Sequence, residues 1–212
     1  MPVLKNNKYA IALHTSTPQL GIAINNYDGD NRTQVWDLGR GLASKLHQNL
    51  QQIIVPQTWQ DLEFIAVAKG PGGFTGTRVG VVTARTLAQQ LNIPLFGISN
   101  LAAVAAAQNK GENDLIAVQM DARRGQLFVA IYQVEAQGDL QPYLPDSLMT
   151  EAAWQKTLDE LKFPYQLITA DGNIASTVTN ILDLAYLAWQ RGEAPHWSAV
   201  LPFYGQHPVN NS

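Results

Sequence analysis

The sequence contains no cysteine, which excludes disulfides, thiolate metal sites and cysteine nucleophiles. Charged residues are also scarce, at 15% of the 212 residues against about 25% in an average soluble domain. Acidic residues outnumber Lys and Arg by 17 to 14, for a formal net charge of −3. Proteins that bind nucleic acid unaided use a basic excess to displace phosphate counterions, so this balance argues against autonomous nucleic-acid binding.

Long apolar runs are missing as well. No stretch reaches the roughly 18 apolar residues of a membrane-spanning helix. The apolar run at residues 9–13 is far shorter than the hydrophobic region of a secretory signal. The sequence therefore predicts a cytoplasmic protein without membrane contact.

An apolar strand–turn–strand pattern occurs twice. Residues 11–16 resemble residues 116–121, and residues 20–24 resemble residues 127–131, so the later turn is two residues longer. Each copy has a polar turn between two β-type runs, which predicts a hairpin. A matched pair in the same order favours internal duplication over coincidence.

Strands and helices alternate after each hairpin, which predicts a layered α/β protein. We expect a first lobe at residues 1–110, a second at 111–194 and a tail at 195–212 that docks back on the body. The other predicted strands are at residues 34–38, 64–68, 95–98, 143–148 and 165–169. The predicted helices are at residues 42–55, 77–91, 101–107, 150–161 (with Thr150 as the N-cap) and 176–192.

A glycine-rich loop between a predicted strand and helix lies in a stretch, residues 64–111, without any Asp or Glu. It lacks the Gly-Lys-Ser/Thr of a Walker A loop and the third glycine and acid of a Rossmann fingerprint. Two interpretations remain, an anion or nucleotide site at a helix N-terminus and a tight turn that needs glycine for its backbone angles. Spacing slightly favours the turn. The residues of the anion interpretation are Lys69, Gly70, Gly72, Gly73, Thr75 and Arg78.

Small residues recur every four positions on the helix after this loop, at Gly80, Ala84 and Ala88. Its remaining positions are rich in valine, so two faces are apolar. Such a helix packs either on its own sheet alone or also against a second protein.

Catalytic groups are few. The histidines are His14, His47, His196 and His207, and their spacing gives no metal-binding pair, so we predict no metal site. His14 ends the first strand, where a structural role is favoured over a catalytic one. Nothing around the serines indicates a nucleophile elbow.

The best-placed carboxylate, Asp121, ends the repeated strand and precedes Arg123 and Arg124. A turn-stabilising role is favoured for it, with an Asp–Arg pair shaping the turn. The sequence predicts no catalytic residue.

Residues 64–80, 94–99 and 121–128 resemble the TsaB family, also called YeaZ or Gcp-like, and the similarity extends over essentially the whole chain. The resemblance implies two duplicated ribonuclease-H-like lobes of the actin and sugar-kinase superfamily, with mixed sheets and helices on both faces. It also implies a non-catalytic subunit that supports a TsaD-type transferase, which forms N6-threonylcarbamoyladenosine beside the tRNA anticodon.

Three places differ from the patterns of these families. The metal-binding histidine pair of TsaD is replaced by Asn100 and Val104, and its adenine-side double glycine is reduced to the residues at 171–173. The family's acid after the first strand is replaced by His14, so any nucleotide contact of that acid is expected to be lost. These changes agree with a role as a partner rather than a catalyst.

The resemblance also implies where the partner binds, because the helices at residues 42–55 and 77–91 match a pair that bundles with the equivalent pair of TsaD. The predicted interface consists of Leu42, Leu46, Leu50, Gly80, Val81, Ala84, Arg85 and Ala88. Other implied partners are a TsaE-type ATPase, a second copy of the chain when alone, and tRNA only through the complex. No cofactor is expected to bind tightly, although weak ATP or ADP binding at the partner interface is compatible with the fold.

The alternatives are an enzyme of the same fold, either a glycoprotease-like peptidase or a small-molecule kinase, and a self-associating scaffold. The absence of metal ligands and of a sequence context for a nucleophile weighs against the peptidase. The missing acids near the glycine-rich loop weigh against the kinase. Sequence alone does not separate the scaffold from the partner subunit.

Overall fold

The computed structural model describes residues 4, 7–109, 111, 115–135 and 138–205. His207 and Lys110 lie outside the described residues, as do the tail beyond residue 205 and most of the predicted lobe boundary. Within the described ranges, no helix is both long and apolar enough to cross a bilayer.

The elements of the first half follow the predicted order. They are β1 (Tyr9–His14), β2 (Gln19–Asn25), β3 (Asn31–Asp37), α1 (Leu42–Ile54), β4 (Leu62–Ala68), α2 (Phe74–Leu91), β5 (Leu95–Ile98) and α3 (Asn100–Gln108). Those of the second half are β6 (Leu115–Asp121), β7 (Gln126–Val134), β8 (Leu140–Thr150), α4 (Glu151–Asp159), β9 (Tyr165–Ala170) and α5 (Val178–Gln190). Thr150 caps α4 as predicted, because its hydroxyl accepts a hydrogen bond from the Ala153 N–H at 3.2 Å.

Two mixed sheets repeat one arrangement. The first has the order β3-β2-β1-β4-β5 and the second β8-β7-β6-β9. In each, the repeated hairpin is antiparallel, and its first strand pairs in parallel with a later strand, β4 or β9. The predicted duplication of an α/β fold with two lobes is confirmed.

Helices cover both faces of the first sheet, so β1 is buried along its whole length. Ile11 and Leu13 pack towards α1 and α2 in one apolar cluster. Ala10 and Ala12, on the opposite face, pack against α5 in another. The two alanines share one face because successive side chains of a strand point to opposite faces. Since their side chains are short, α5 lies close to the strand.

The central helices are exchanged between the sheets. α3, from the first half, packs its Leu101 and Val104 on the second sheet, and α5, from the second half, packs its Ile181 and Ala185 on the first. Assigning all of residues 111–194 to the second lobe therefore separates α5 from the sheet that it covers. Element order alone does not specify this packing.

The described part of the tail lies against the body. The Phe203 N–H donates to the Lys69 carbonyl oxygen at 2.7 Å, and Val200 is buried in the cluster that also holds Leu95. Residues 195–205 thus complete the packing around the strand β5 and the glycine-rich loop.

Candidate functional site: the cleft beside the glycine-rich loop

The turns of the two hairpins face a common cleft of about 1110 Å³. One wall contains residues 15–18 after β1 and part of the glycine-rich loop. The other contains residues 120–123 after β6 and residues 170–172 after β9. Strand ends from both sheets therefore meet at this cleft, as ligand sites of α/β folds often do.

The glycines of the loop and of the first turns of α2 make room for other parts of the protein. A Cβ atom added at Gly76 would overlap the carbonyl oxygen of Thr15, and one added at Gly80 would overlap the Thr15 hydroxyl. Gly70 has a φ of +101°, which side chains rarely adopt. The Gly73 N–H is already used, because it donates to the Ser16 carbonyl oxygen at 2.7 Å. These contacts support the tight-turn interpretation.

The residues of the predicted anion site are not brought together. Gly72, Gly73 and Thr75 line the cleft. Lys69 instead lines a second cavity of about 640 Å³, and Arg78 is exposed on the outer side of α2. The two cations of the predicted site, Lys69 and Arg78, therefore lie on different surfaces, and neither lines the cleft.

Two arginines, Arg40 and Arg123, line the cleft. Arg123 belongs to the predicted turn, whereas the sequence analysis did not identify Arg40. Arg40 lies just before α1, far in sequence from the loop. Asp121 and Asp171 are also in the cleft walls, so its charge is mixed rather than strongly positive. No motif links these four positions, and only the pairing of the two sheets places them on one cleft.

Asp121 acts as the predicted turn residue. Its Oδ1 accepts a hydrogen bond from the Arg123 N–H at 2.8 Å. Arg123, Arg124 and Gly125 have positive φ angles of 67°, 54° and 70°. The contact is to the backbone of Arg123, so the expected pair between carboxylate and guanidinium is replaced by an Asx-type turn.

His14 is completely buried at the end of β1. Burial lowers the pKa of the His14 ring to about 4. A contact with its own backbone, which lacks hydrogen-bond geometry, acts in the opposite direction. The ring is therefore neutral at pH 7. His47 is exposed on α1, and His196 caps a short helical turn in the tail. Among the described residues, no three His, Asp or Glu side chains form a group that could hold a metal.

A half-buried polar contact that the sequence did not signal joins the two sheets. Asp146 on β8 accepts hydrogen bonds from the Ser99 hydroxyl at 2.9 Å and the Tyr132 hydroxyl at 2.8 Å. Burial raises the pKa of the Asp146 carboxyl, and the nearby Lys69 opposes that rise. The 47 positions between Ser99 and Asp146 explain why no local pattern reveals the contact.

Most residues of the predicted partner interface lie in the core of their own lobe. Leu46 and Ala84 are both 0% exposed and pack in the core of the first lobe. Arg85 is half-buried, with its guanidinium 5.8 Å from the Trp197 ring centre. The other predicted interface residues, all buried, are Leu42, Leu50, Gly80, Val81 and Ala88. Their small and apolar side chains fit α1 and α2 to their own sheet.

The exposed side of α2 carries different residues. Phe74 is 58% exposed and Val82 53% exposed, with Arg78 between them at a spacing of four. This spacing places the three residues on one helix face. We call Phe74, Arg78 and Val82 the outer stripe; Phe74 also contacts the tail residue Tyr204, at 4.5 Å between ring centres.

Comparisons with known proteins match most of the chain. A family model described as "TsaD: tRNA N6-adenosine threonylcarbamoyltransferase" matches residues 44–191. That range includes the glycine-rich loop and Asp121, and it begins after His14.

Curated relatives carry names from tRNA modification. The chain is 40% identical over 115 residues to the tRNA threonylcarbamoyladenosine biosynthesis protein TsaB of Bacillus subtilis, covering 54% of this chain and 49% of that protein. It is 29% identical over 131 residues to the protein of the same name from Escherichia coli, covering 60% and 56%. The chain thus spans about half the length of the curated relatives it matches.

Solved structures share the whole fold. YeaZ from Pseudomonas aeruginosa superposes with a TM-score of 0.73 at 23% identity, covering 93% of this chain and all of that one. A further Pseudomonas aeruginosa protein, described as similar to the peptidase YEAZ, superposes with a TM-score of 0.74 at 22% identity, covering 94% and 100%. At these identities the likeness concerns the fold.

Proposed function

Since the chain belongs to the TsaD family as that model defines it, and within it to the TsaB (YeaZ) family, we propose that it is a non-catalytic partner subunit. It would bind and support a TsaD-type transferase in forming N6-threonylcarbamoyladenosine next to the anticodon of tRNA. The observation that carries this proposal is the 40% identity over 115 residues to the Bacillus subtilis protein named for that biosynthesis.

The positions of the missing histidine pair support a non-catalytic role. Asn100 and Val104 are 0% and 1% exposed, and Val104 packs in an apolar cluster with Ile116 and Val118. A valine side chain offers no atom to a metal. The chain would therefore contribute binding rather than chemistry.

The outer stripe on α2 supports a docking function. Two large apolar side chains, Phe74 and Val82, are more than half exposed on one face of a helix, flanking Arg78. Exposed apolar groups arranged in this way are typical of protein interfaces. The proposed docking face combines this stripe with the exposed side of the neighbouring α1, which includes Ala43 and His47. The partner's equivalent helix pair would cover it.

Co-purification with a TsaD-type transferase tests the docking face. Val82→Asp places a charge in the proposed interface and should weaken binding at least tenfold, which corresponds to about 1.4 kcal/mol. Leu167→Asp is the matched control, because Leu167 is an exposed apolar residue on β9 of the other sheet. If Val82→Asp binds the transferase as tightly as the wild type does, the proposed docking face is wrong. A charge at buried Ala84 is unsuitable for this test, since it would unfold the lobe.

Reconstituted tRNA modification tests the function itself. Modification should require both this chain and the transferase, with the chain alone inactive. Full modification without this chain would overturn the proposed function, whatever the result for Val82.

The proposal includes no tightly bound cofactor. The cleft presents Arg40 and Arg123, and Phe74 and Ala43 connect it to the docking face, so ATP or ADP would bind weakly at that joint. Calorimetric titration of the isolated chain with ADP should give weak binding or none. Tight nucleotide binding with turnover would favour the kinase alternative.

The remaining partners follow from the same role. A TsaE-type ATPase would join the complex, tRNA would be reached only through it, and the site of action would be the cytoplasm. Without a transferase, the outer stripe would pair with a second copy of the chain. Sedimentation should show a concentration-dependent dimer that Val82→Asp disrupts. If the variant dimerises as the wild type does, the chain self-associates through a surface other than the docking face.

A further inference from the structure

Four buried side-chain atoms of the described residues have no hydrogen-bond partner in the protein, and they belong to three neighbouring residues. They are the two ring nitrogens of His14, the hydroxyl of Ser16 and the Oδ1 atom of Asn100. His14 and Asn100 are 0% exposed and Ser16 is 3% exposed. Leaving a buried polar group unpaired costs about 1–3 kcal/mol, so a concentration of them at one point requires an explanation.

Ser16 and Asn100 meet behind the glycine-rich loop. A Cβ atom built at Gly72 would lie 2.7 Å from the Ser16 Cβ and 3.4 Å from the Asn100 Nδ2. That Nδ2 donates to the Pro71 carbonyl oxygen at 2.8 Å, which fixes the amide beside the loop and leaves Oδ1 on its other side. Ser16 and Asn100 therefore flank the same short segment of backbone.

His14 points to the same side. Along β1 it continues the series of Ala10 and Ala12, whose side chains pack with α5 and with Ala103 of α3. Thr15, the next residue, faces the opposite way, because its hydroxyl donates to the Gly76 carbonyl oxygen at 2.8 Å. The ring of His14 is thus directed to the layer in which α3 begins with Asn100.

The chemistry of the cluster limits what it can bind. Burial keeps His14 neutral by lowering its pKa to about 4, and Ser16 and Asn100 carry no charge. A neutral, buried set cannot offset the desolvation of an anion or a divalent cation. It offers hydrogen-bond acceptors at Asn100 and His14, a donor on the other His14 nitrogen, and a hydroxyl that does both.

We infer that His14, Ser16 and Asn100 form an internal binding site for a water molecule. A water needs two to four polar partners in a buried site, and this cluster supplies three side chains from two segments of the chain. The bound water connects the end of β1, the hairpin turn and the start of α3. It supports the glycine-rich loop at Gly72, next to the cleft wall that contains Ser16.

A crystal structure of the full chain that shows ordered solvent tests the inference. We expect a density peak about 2.8 Å from Asn100 Oδ1 and from at least one atom of His14 or Ser16. No peak at this position would overturn the inference. A peak about 2.1 Å from a ring nitrogen with an anomalous signal would identify a metal and overturn it as well.

A double variant adds a second test in the same crystals. Ser16→Ala/Asn100→Leu removes two of the three partners, so the peak should disappear, whereas Ser16→Ala alone should retain it. Persistence in the double variant would show that these side chains do not hold the molecule.

Solution NMR keeps the inference testable if the double variant fails to fold. In the wild-type chain labelled with ¹⁵N, the neutral His14 ring should show one protonated nitrogen with a cross-peak to long-lived water. A visible His14 N–H signal without that cross-peak would overturn the inference.

Discussion

The turns after β1 and β6 come from the two copies of one hairpin, yet their first residues differ in exposure. In the aligned copies Ser16 corresponds to Asp121, and the first is 3% exposed whereas the second is exposed. The glycine-rich loop and α2 pack on Thr15 and Ser16 at the start of the first turn, although residues of both turns line the cleft. A repeated strand pattern therefore specifies a hairpin without specifying what covers it.

The largest expected effect comes from the loop that covers the first turn. Gly76→Ala would place a Cβ atom against the Thr15 carbonyl oxygen, and neither the loop nor the hairpin can yield without moving backbone. Overpacking of this kind should lower the free energy of unfolding by about 4 kcal/mol. Urea denaturation followed by circular dichroism measures it.

The second turn supplies the control. Gly125 has a φ of +70° and open space around its Cβ position, so Gly125→Ala should cost only about 1 kcal/mol of backbone strain. Equal losses for the two alanine variants would contradict the difference in packing between the turns.

Acid should destabilise the first hairpin through His14. Its pKa is about 4 in the folded chain against an ordinary value of 6.5, so between these values the unfolded state binds more protons. The free energy of unfolding should therefore fall by up to about 3 kcal/mol as the pH drops from 6.5 to 4. Denaturation curves at pH 7 and near pH 4 measure the loss.

His14→Leu isolates this contribution. The raised pKa values of Asp146 and Asp183, which burial causes, act in the opposite direction, because the folded state then binds protons more readily. They are present in both proteins, so the variant should lose less stability on acidification than the wild type. Parallel losses would show that His14 is not held neutral.

The smallest expected effect is in the exposed second turn. Asp121→Ala removes the acceptor for the Arg123 N–H and should lower the free energy of unfolding by about 1 kcal/mol. Asp121→Asn retains a side-chain oxygen at that position and should stay near the wild-type value. If both variants behave alike, the hydrogen bond does not stabilise the turn.

Most of the fold could be predicted because the elements follow local patterns. The strand at 95–98 matches β5, and the helix at 42–55 matches α1 to within one residue. The start of α2 was placed three residues too late, since the glycine-rich loop passes into the helix at Phe74 without a polar cap. Helix boundaries without capping side chains leave no clear sequence signal.

The candidate site could be predicted only in part. Asp121 was identified correctly as a turn residue because an Asx turn depends on neighbours two positions away. The cleft cation Arg40 and the half-buried contact between Asp146 and Ser99 were not identified, because they depend on how distant strands are brought together. On α1 and α2, the small and apolar residues indicated a packed face. They could not show that this face packs on the sheet rather than on a partner.

The sequence by itself determined the duplicated hairpins, the order of strands and helices, and the family, because these depend on periodicity and on short motifs. Only the tertiary structure decided which side of α2 faces outward, that α3 and α5 exchange sheets, and that His14, Ser16 and Asn100 are buried with unpaired polar atoms. Those properties depend on which surfaces the two lobes bury against each other. Burial depends on contacts between segments far apart in the chain, and a local sequence pattern does not predict those contacts.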